Sequence, residues 1–198
     1  MVRVRAIHVR YIRLAPKNPS MTGKATFGGG CFWCIEAAFE ELDGVESVTS
    51  GYADGHVDDP SYREVCSGNT GHAEVVQVEY DPDVVSYEAL LDVFFTVHDP
   101  TQRNRQGPDV GTQYRSIILY HDGRQRELAS GYIDALDEEG GYDDPVVTEL
   151  EPLERFWRAE EKHQSYFDKN PNDGYCQMHA QPKIEKVREK FREKVTQS

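Results

Sequence analysis

The sequence predicts a single domain of the α+β or α/β class. Three observations carry that expectation. The chain has 198 residues, a length that fits one domain and can bury a core without disulfides or metals. Segments of strand period and helix period alternate along it irregularly, so strands and helices are mixed. No internal repeat and no low-complexity linker divides it.

The elements follow in order. Residues 24–28 suit a short strand that runs into a glycine turn, Gly28-Gly29-Gly30. From Cys34 to Leu42 the apolar residues Ile35, Ala38, Phe39 and Leu42 recur at helical spacing, and Asp43-Gly44 gives a stop. Residues 45–52 suit a strand, followed by a loop rich in Gly, Asp and Pro. His72 to Tyr80 is the clearest strand: Glu74, Val76, Val78 and Tyr80 point one way, and Ala73, Val75, Gln77 and Glu79 the other. Ser86 can cap a helix over about 87–97 whose core face is Leu90, Leu91, Phe94 and Phe95. A long loop, 98–113, precedes a strand over 114–120. A helix over about 124–138 and a strand over 145–150 come next. A helix is expected over 153–168 on Phe156, Trp157 and Phe167. After a Gly/Pro-rich stretch around Cys176, a last helix is expected over 183–195 on Ile184, Val187, Phe191 and Val195.

Composition narrows the function. Apolar residues make up 38% and charged residues 29% of the chain, which reads as globular rather than disordered. No apolar run approaches the ~18 residues of a membrane span. The opening MVRVRAIHVRYIRLAP is broken by arginines and lacks the apolar core of a secretory signal, so a cytoplasmic protein is expected. The net charge of −13 argues against nucleic acid, since a polyanion would be repelled. A monomer without a cofactor is expected. Residues 1–20 hold five of the 22 basic residues and none of the 35 acidic ones. They read either as a loose arm left by an upstream start, with Met21 the natural one, or as an Arg-rich transit segment. The catalytic domain is then 21–198. The acidic body, with Arg exceeding Lys, would suit a host with high internal salt.

Four cysteines, Cys31, Cys34, Cys66 and Cys176, sit in a chain with no export signal. Catalysis, redox switching or metal binding therefore outrank structural disulfides. A thiol reacts as thiolate. Cys31 follows three glycines and precedes a helix, so helix-start amides and the dipole are expected to lower its pKa. Phe32 and Trp33 can form an apolar wall beside the sulfur or serve only as core anchors. Cys34 completes a C-x-x-C pair, which fits a redox pair or half of a zinc site, but a second half is missing. Glu74 shares its strand face with Val76, Val78 and Tyr80. If that face is buried, desolvation raises its pKa and makes it a general acid; if it lies at an exposed strand end, it is an ordinary surface carboxylate. Two rival functions are a general disulfide oxidoreductase, with no need for Glu74, and a zinc-binding structural module. Cys66 reads as a small buried hydrophobe, and His72, His98 and His163 as structural polar residues.

Five segments, in order, resemble the A-type peptide methionine sulfoxide reductases: FGGGCFWC (27–34), DPSYREVCSGNTGHAEVVQVEYDP (59–82), HDPTQRNRQGPDVGTQYRS (98–116), AEEKHQSYF (159–167) and NPNDGYC (170–176). The resemblance spans about residues 26–182. It implies a two-layer α/β sandwich around a central mixed sheet. It implies that Cys31 attacks the sulfoxide sulfur, that Phe32 and Trp33 hold the substrate methyl, and that Glu74 protonates the oxygen. It also implies that Tyr62, Tyr114 and Asp109 bind that oxygen or position the acid. Cys31 would become a sulfenic acid and then a disulfide, recycled by thioredoxin or a similar dithiol. Cys176 is the favoured resolving thiol, with Cys34 the alternative. The S epimer, free or in proteins, is the implied substrate. Asp54 departs from the pattern, standing where the family usually has Gly, and the tail after Cys176 lacks the usual further cysteine.

Overall fold

A computed structural model describes residues 22–195; the expectation for residues 1–20 lies outside them. Chain order is β1 (Gly23–Gly28), α1 (Phe32–Phe39), β2 (Val45–Ala53), α2 (Tyr62–Cys66), β3 (Ala73–Tyr80), α3 (Tyr87–Val97), β4 (Arg105–Gln106), β5 (Asp109–Val110), β6 (Ile117–Tyr120), α4 (Gly123–Glu138), β7 (Glu149–Pro152), β8 (Phe156–Arg158), α5 (Tyr166–Lys169) and α6 (Gln181–Lys190). Six strands form one sheet in the order β7-β6-β1-β3-β2-β8. All pairs are antiparallel except β6–β7, so the sheet is mixed and the domain is α+β, as expected.

The parity of β3 sets the two faces. Val76 and Val78 join the main core with Phe27, Phe39, Leu90 and Phe94 under helices α1 and α3. Phe27 stacks on Phe39 and Phe94 at 5.3 and 5.0 Å between ring centres. Burying each such ring contributes roughly 2–3 kcal/mol. The opposite parity, Ala73 and Val75, is buried too, in a smaller cluster with Ile117 and Leu119. Among the described residues none of the buried core side chains is a methionine, and Met178 is 70% exposed.

Local signals explain most elements. Ser86 Oγ accepts the Ala89 N–H at 3.2 Å and caps α3. Asp122 caps α4 in the same way through the Gln125 N–H at 2.8 Å. Other expectations need correction. The helix expected over 153–168 is instead strand β8, a 3-10 turn and the short α5. Trp157 pairs with Tyr52 of β2. The buried Gln164 amide then takes up the Ser50 N–H at 3.0 Å and the Ser50 carbonyl at 2.9 Å, completing the β2 edge where a backbone would otherwise do so. The strand expected over 145–150 lies at 149–152. The one expected over 114–120 begins at Ile117, because Tyr114 belongs to a 3-10 turn. The last helix starts at Gln181, with Pro182 in its first turn, and ends at Lys190; Val195 forms a bridge with Leu42 instead.

Of the described acidic residues only Glu36 and Glu74 are buried, so the acidic excess faces solvent. Like charges at that density repel, and salt screens them: the Debye length shrinks from ~10 Å at about 0.1 M to ~3 Å at about 1 M. The melting temperature is therefore expected to rise with KCl over that range; a flat or falling curve in a thermal-shift titration refutes this.

Candidate active site

The glycine turn between β1 and α1 places Cys31. A Cβ at Gly28 would lie 2.8 Å from the Glu74 carbonyl oxygen, and Gly30 has φ +99, a conformation open chiefly to glycine. Cys31 is the N-cap residue of α1 and its side chain caps nothing. It is 7% exposed. The first helical amide, Phe32 N–H, donates to Glu74 Oε2 at 3.1 Å. Glu74 reaches it from β3, opposite Tyr52, on the apolar face that its strand parity assigns. It is 1% exposed, and its Oε1 has no hydrogen-bond partner. Burial pushes its pKa up to about 8; the Phe32 amide opposes this, and the charges of Asp109 and Cys34 add to it. Glu74 is therefore a neutral acid near pH 7 with one oxygen free.

The thiols differ from the expectation for Cys31. Burial, first, holds the Cys31 thiol well above its usual range, and the hydrogen bond with Cys34 and the charge of Glu74 add to this. Desolvation thus outweighs the helix-start amides. Cys34, 2% exposed, is pulled down, chiefly by its hydrogen bond with Cys31 and then by Lys183, against burial.

An aromatic wall borders the pair. Phe32 is buried, whereas Trp33 is only partly buried. The Trp33 indole lies flat on Tyr166, 3.8 Å between ring centres and 9° apart, and meets Tyr175 edge-on at 6.0 Å. Tyr62 stacks on Phe32 at 6.2 Å, and His163 packs 4.3 Å from Tyr62. Phe32 anchors the core, and Trp33 is only partly buried against it.

The other expected site residues gather on the same acid. Tyr62 on α2 and Tyr114 in the 3-10 turn are both raised in pKa, by burial first and then by the charge of Glu74, so their hydroxyls stay protonated donors. Asp109 on β5 accepts the Tyr175 hydroxyl at 2.5 Å. Tyr175 was not among the residues singled out from sequence; its position between Gly174 and Cys176 was the available signal. Its hydroxyl also pulls the Cys31 thiol down. Arg115 braces this side through Asp54 at 2.7 Å and Glu149 at 3.0 Å. Asp54 has φ 60, so at this departure from the family pattern an aspartate occupies a left-handed position that suits it better than most residues.

Cys176 is fully buried at the start of a one-turn π-helix, Cys176–Ala180, which packs against α1. The surrounding Gly/Asn/Pro stretch does not leave it on the surface. Burial pushes its pKa up to about 11, with the charges of Asp173 and Cys34 adding. Cys66, expected to be buried, is exposed at the end of α2. His98 is structural: its ring nitrogens meet the Phe94 carbonyl at 2.6 Å and Ser116 Oγ at 2.8 Å, and burial lowers its pKa to about 3. Among the described residues no group of three or more His, Cys, Asp or Glu side chains is placed to hold a metal, and no helix is long and apolar enough to cross a membrane.

Two buried thiols at a helix start, set beside a buried carboxylic acid, are the groups of a thiol-dependent oxidoreductase. Comparison with known proteins narrows the class. The family model for peptide methionine sulfoxide reductase matches residues 23–195. A peptide methionine sulfoxide reductase MsrA of Natronomonas pharaonis is 77% identical over 175 residues, 88% of this chain and 98% of that one. The crystal structure of reduced Mxr1 from Saccharomyces cerevisiae is similar at TM-score 0.73 and 38% identity, over 83% of this chain and 94% of that one. Mxr1 in complex with Trx2 matches at TM-score 0.52 and 28% identity, over 77% and 89%. The chain belongs to the A-type peptide methionine sulfoxide reductase family, and it is an enzyme of that activity.

Proposed function

We propose that the chain reduces methionine S-sulfoxide, free or in proteins, with the Cys31 sulfur as nucleophile and Glu74 as proton donor. The observation that carries this reading is the placement of Glu74. It is buried and protonated up to about pH 8, bonded through one oxygen to the amide beside Cys31 and free at the other. A sulfoxide oxygen leaves poorly until it is protonated. Glu74 gives its proton to that oxygen, the Cys31 sulfur attacks the substrate sulfur, and the S–O bond breaks as an S–S bond forms; the hydroxide so released adds to the Cys31 sulfur and breaks the S–S bond. The oxygen ends on Cys31 as a sulfenic acid, and the thioether leaves as methionine, so Cys31 loses the two electrons that the sulfoxide gains. Phe32 and Trp33 receive the methyl group. The protonated hydroxyls of Tyr62 and Tyr114 donate to the oxygen, and the charge of Asp109 helps keep Glu74 neutral.

A second thiol then condenses with the sulfenic acid and expels water. Sequence favours Cys176 for this step. Cys34 lies one helical turn from Cys31, its backbone N–H on the Cys31 carbonyl at 3.1 Å, so we place Cys34 first and Cys176, which feels the Cys34 charge, next in a relay of exchanges. Thioredoxin or a similar dithiol resets the enzyme; the complex of Mxr1 with Trx2 supports a partner of that kind. We place the enzyme in the cytoplasm, where thiols are kept reduced.

The test is single turnover without reductant, using the S epimer of an N-blocked methionine sulfoxide, with the resulting disulfide mapped by mass spectrometry. Cys176→Ser is expected to release methionine and carry a Cys31–Cys34 disulfide. Cys34→Ser is expected to release methionine and form Cys31–Cys176 more slowly. A Cys176→Ser protein that stays at the sulfenic acid removes Cys34 from first place, and wild-type turnover of the R epimer alone overturns the substrate assignment.

A further inference from the structure

The mechanism uses one of the two buried acids and leaves Glu36 without a role. Glu36 lies on α1, three residues after Trp33, and is 1% exposed. Its Oε2 accepts the backbone N–H of Tyr166 at 3.3 Å, and its Oε1 has no hydrogen-bond partner. Burying a carboxyl that lacks a full set of partners costs stability, and an apolar side chain would be cheaper there.

What the carboxyl holds explains its presence. Tyr166 is the first residue of α5, where backbone amides lack partners within the helix. The usual solution is a cap from the preceding residue. Ser165 gives none: it sits in the left-handed region at φ 46 and makes no side-chain cap bond. Glu36 supplies the acceptor from another helix. The carboxyl of Glu40, the residue that ends α1, meets the Ser165 hydroxyl at 3.5 Å, so two acids, one in α1 and one at its C-cap, hold the Ser165–Tyr166 corner. Lys169 on α5 is the cation whose charge reaches Glu36. The ring of Tyr166 then lies flat on Trp33. Trp33 is thus fixed on one side by α1 itself and on the other by a ring whose backbone α1 also holds.

We propose that Glu36 is a positioning residue for substrate binding: by capping α5 it holds Tyr166 against Trp33 and so fixes the wall that receives the sulfoxide's methyl group. This rests on the reading of Trp33 as that wall. It assigns to Glu36 a part in sulfoxide affinity and none in proton transfer.

Steady-state kinetics with the S epimer of N-blocked methionine sulfoxide and saturating dithiothreitol test it, alongside tryptophan emission in a Trp157→Phe background, which leaves Trp33 as the reporter. Glu36→Ala is expected to raise KM about tenfold with kcat changed less than about threefold, and to shift Trp33 emission. Glu36→Gln, whose amide oxygen still accepts the Tyr166 N–H, is expected to recover most of the KM and the emission. Tyr166→Ala removes the stacked ring while leaving the cap, and is the second probe should Glu36→Ala not fold; it too is expected to raise KM. An unchanged KM in Glu36→Ala or Tyr166→Ala, or a loss confined to kcat, overturns the proposal. Trp33→Ala separates the two levels. If it raises KM while Glu36→Ala does not, only the role of Glu36 falls; if it leaves KM unchanged, the wall itself is wrong.

Discussion

Cys31→Ser is expected to leave less than about one part in 10⁴ of wild-type sulfoxide reduction. A serine hydroxyl is un-ionised near neutral pH and is a hard nucleophile, so it cannot make the sulfur–sulfur contact on which oxygen transfer depends. Glu74, Tyr62 and Tyr114 would remain in place around a site with nothing to accept the oxygen. The fold should not suffer. Cys31 occupies the N-cap of α1 and makes no side-chain cap bond, whereas serine is among the preferred residues there, worth about 0.5–1 kcal/mol over a residue that does not cap. The expected variant is inactive with an equal or higher melting temperature. Single-turnover methionine release and a thermal melt of the same preparation check both halves. Methionine release by Cys31→Ser would remove Cys31 as the nucleophile.

Glu74→Gln is expected to lower kcat/KM by roughly 10²–10⁴, the usual range for losing a general acid. The amide keeps the shape and still meets the Phe32 N–H, but it has no acidic proton to give. The pH profile carries a second signature. The wild-type Glu74 loses its proton near pH 8, so kcat/KM should fall above that pH, and Glu74→Gln should lack this limb. Stability moves with it. The folded state keeps the proton up to about pH 8, while the unfolded chain loses it near the ordinary value of 4.5. The folded state thus binds more protons between these values, and stability falls as pH rises through the interval. Glu74→Gln should flatten that slope, which separates loss of an acid from misfolding. A variant within a few-fold of wild type at all pH values would sink the assignment.

Much of this site was legible in the sequence because it is built from local features. The strand parity of Glu74 with Val76 and Val78 put it on an apolar face, whose burial the sequence left open and the fold supplies, and Gly30 marked the turn that delivers Cys31. The elements that were misread depend on distant partners. Phe156 and Trp157 look helical beside Phe167, but β8 exists because Tyr52 and Gly51 offer it an edge. The side chain of Gln164 replaces a backbone neighbour 114 residues away, and no periodicity encodes that. The Cys31 thiol was misjudged for a related reason. A helix start can be read from glycines, but the burial that overrides it is set by the whole fold. Tyr175 and Tyr166 act through a hydroxyl on Asp109 and a ring on Trp33, contacts that only the folded chain creates.

The absence of methionine from the described core bears on how this fold would respond to oxidation. Oxidants that convert thioethers to sulfoxides create its substrates, and a methionine in the interior would become polar there and loosen the packing. Phenylalanine, leucine, isoleucine and valine fill that interior instead, and they do not undergo that chemistry. The one described methionine, Met178, stands in solvent, where gaining an oxygen disturbs no packed neighbour. The described core is therefore built without the side chain whose oxidised form this enzyme reduces.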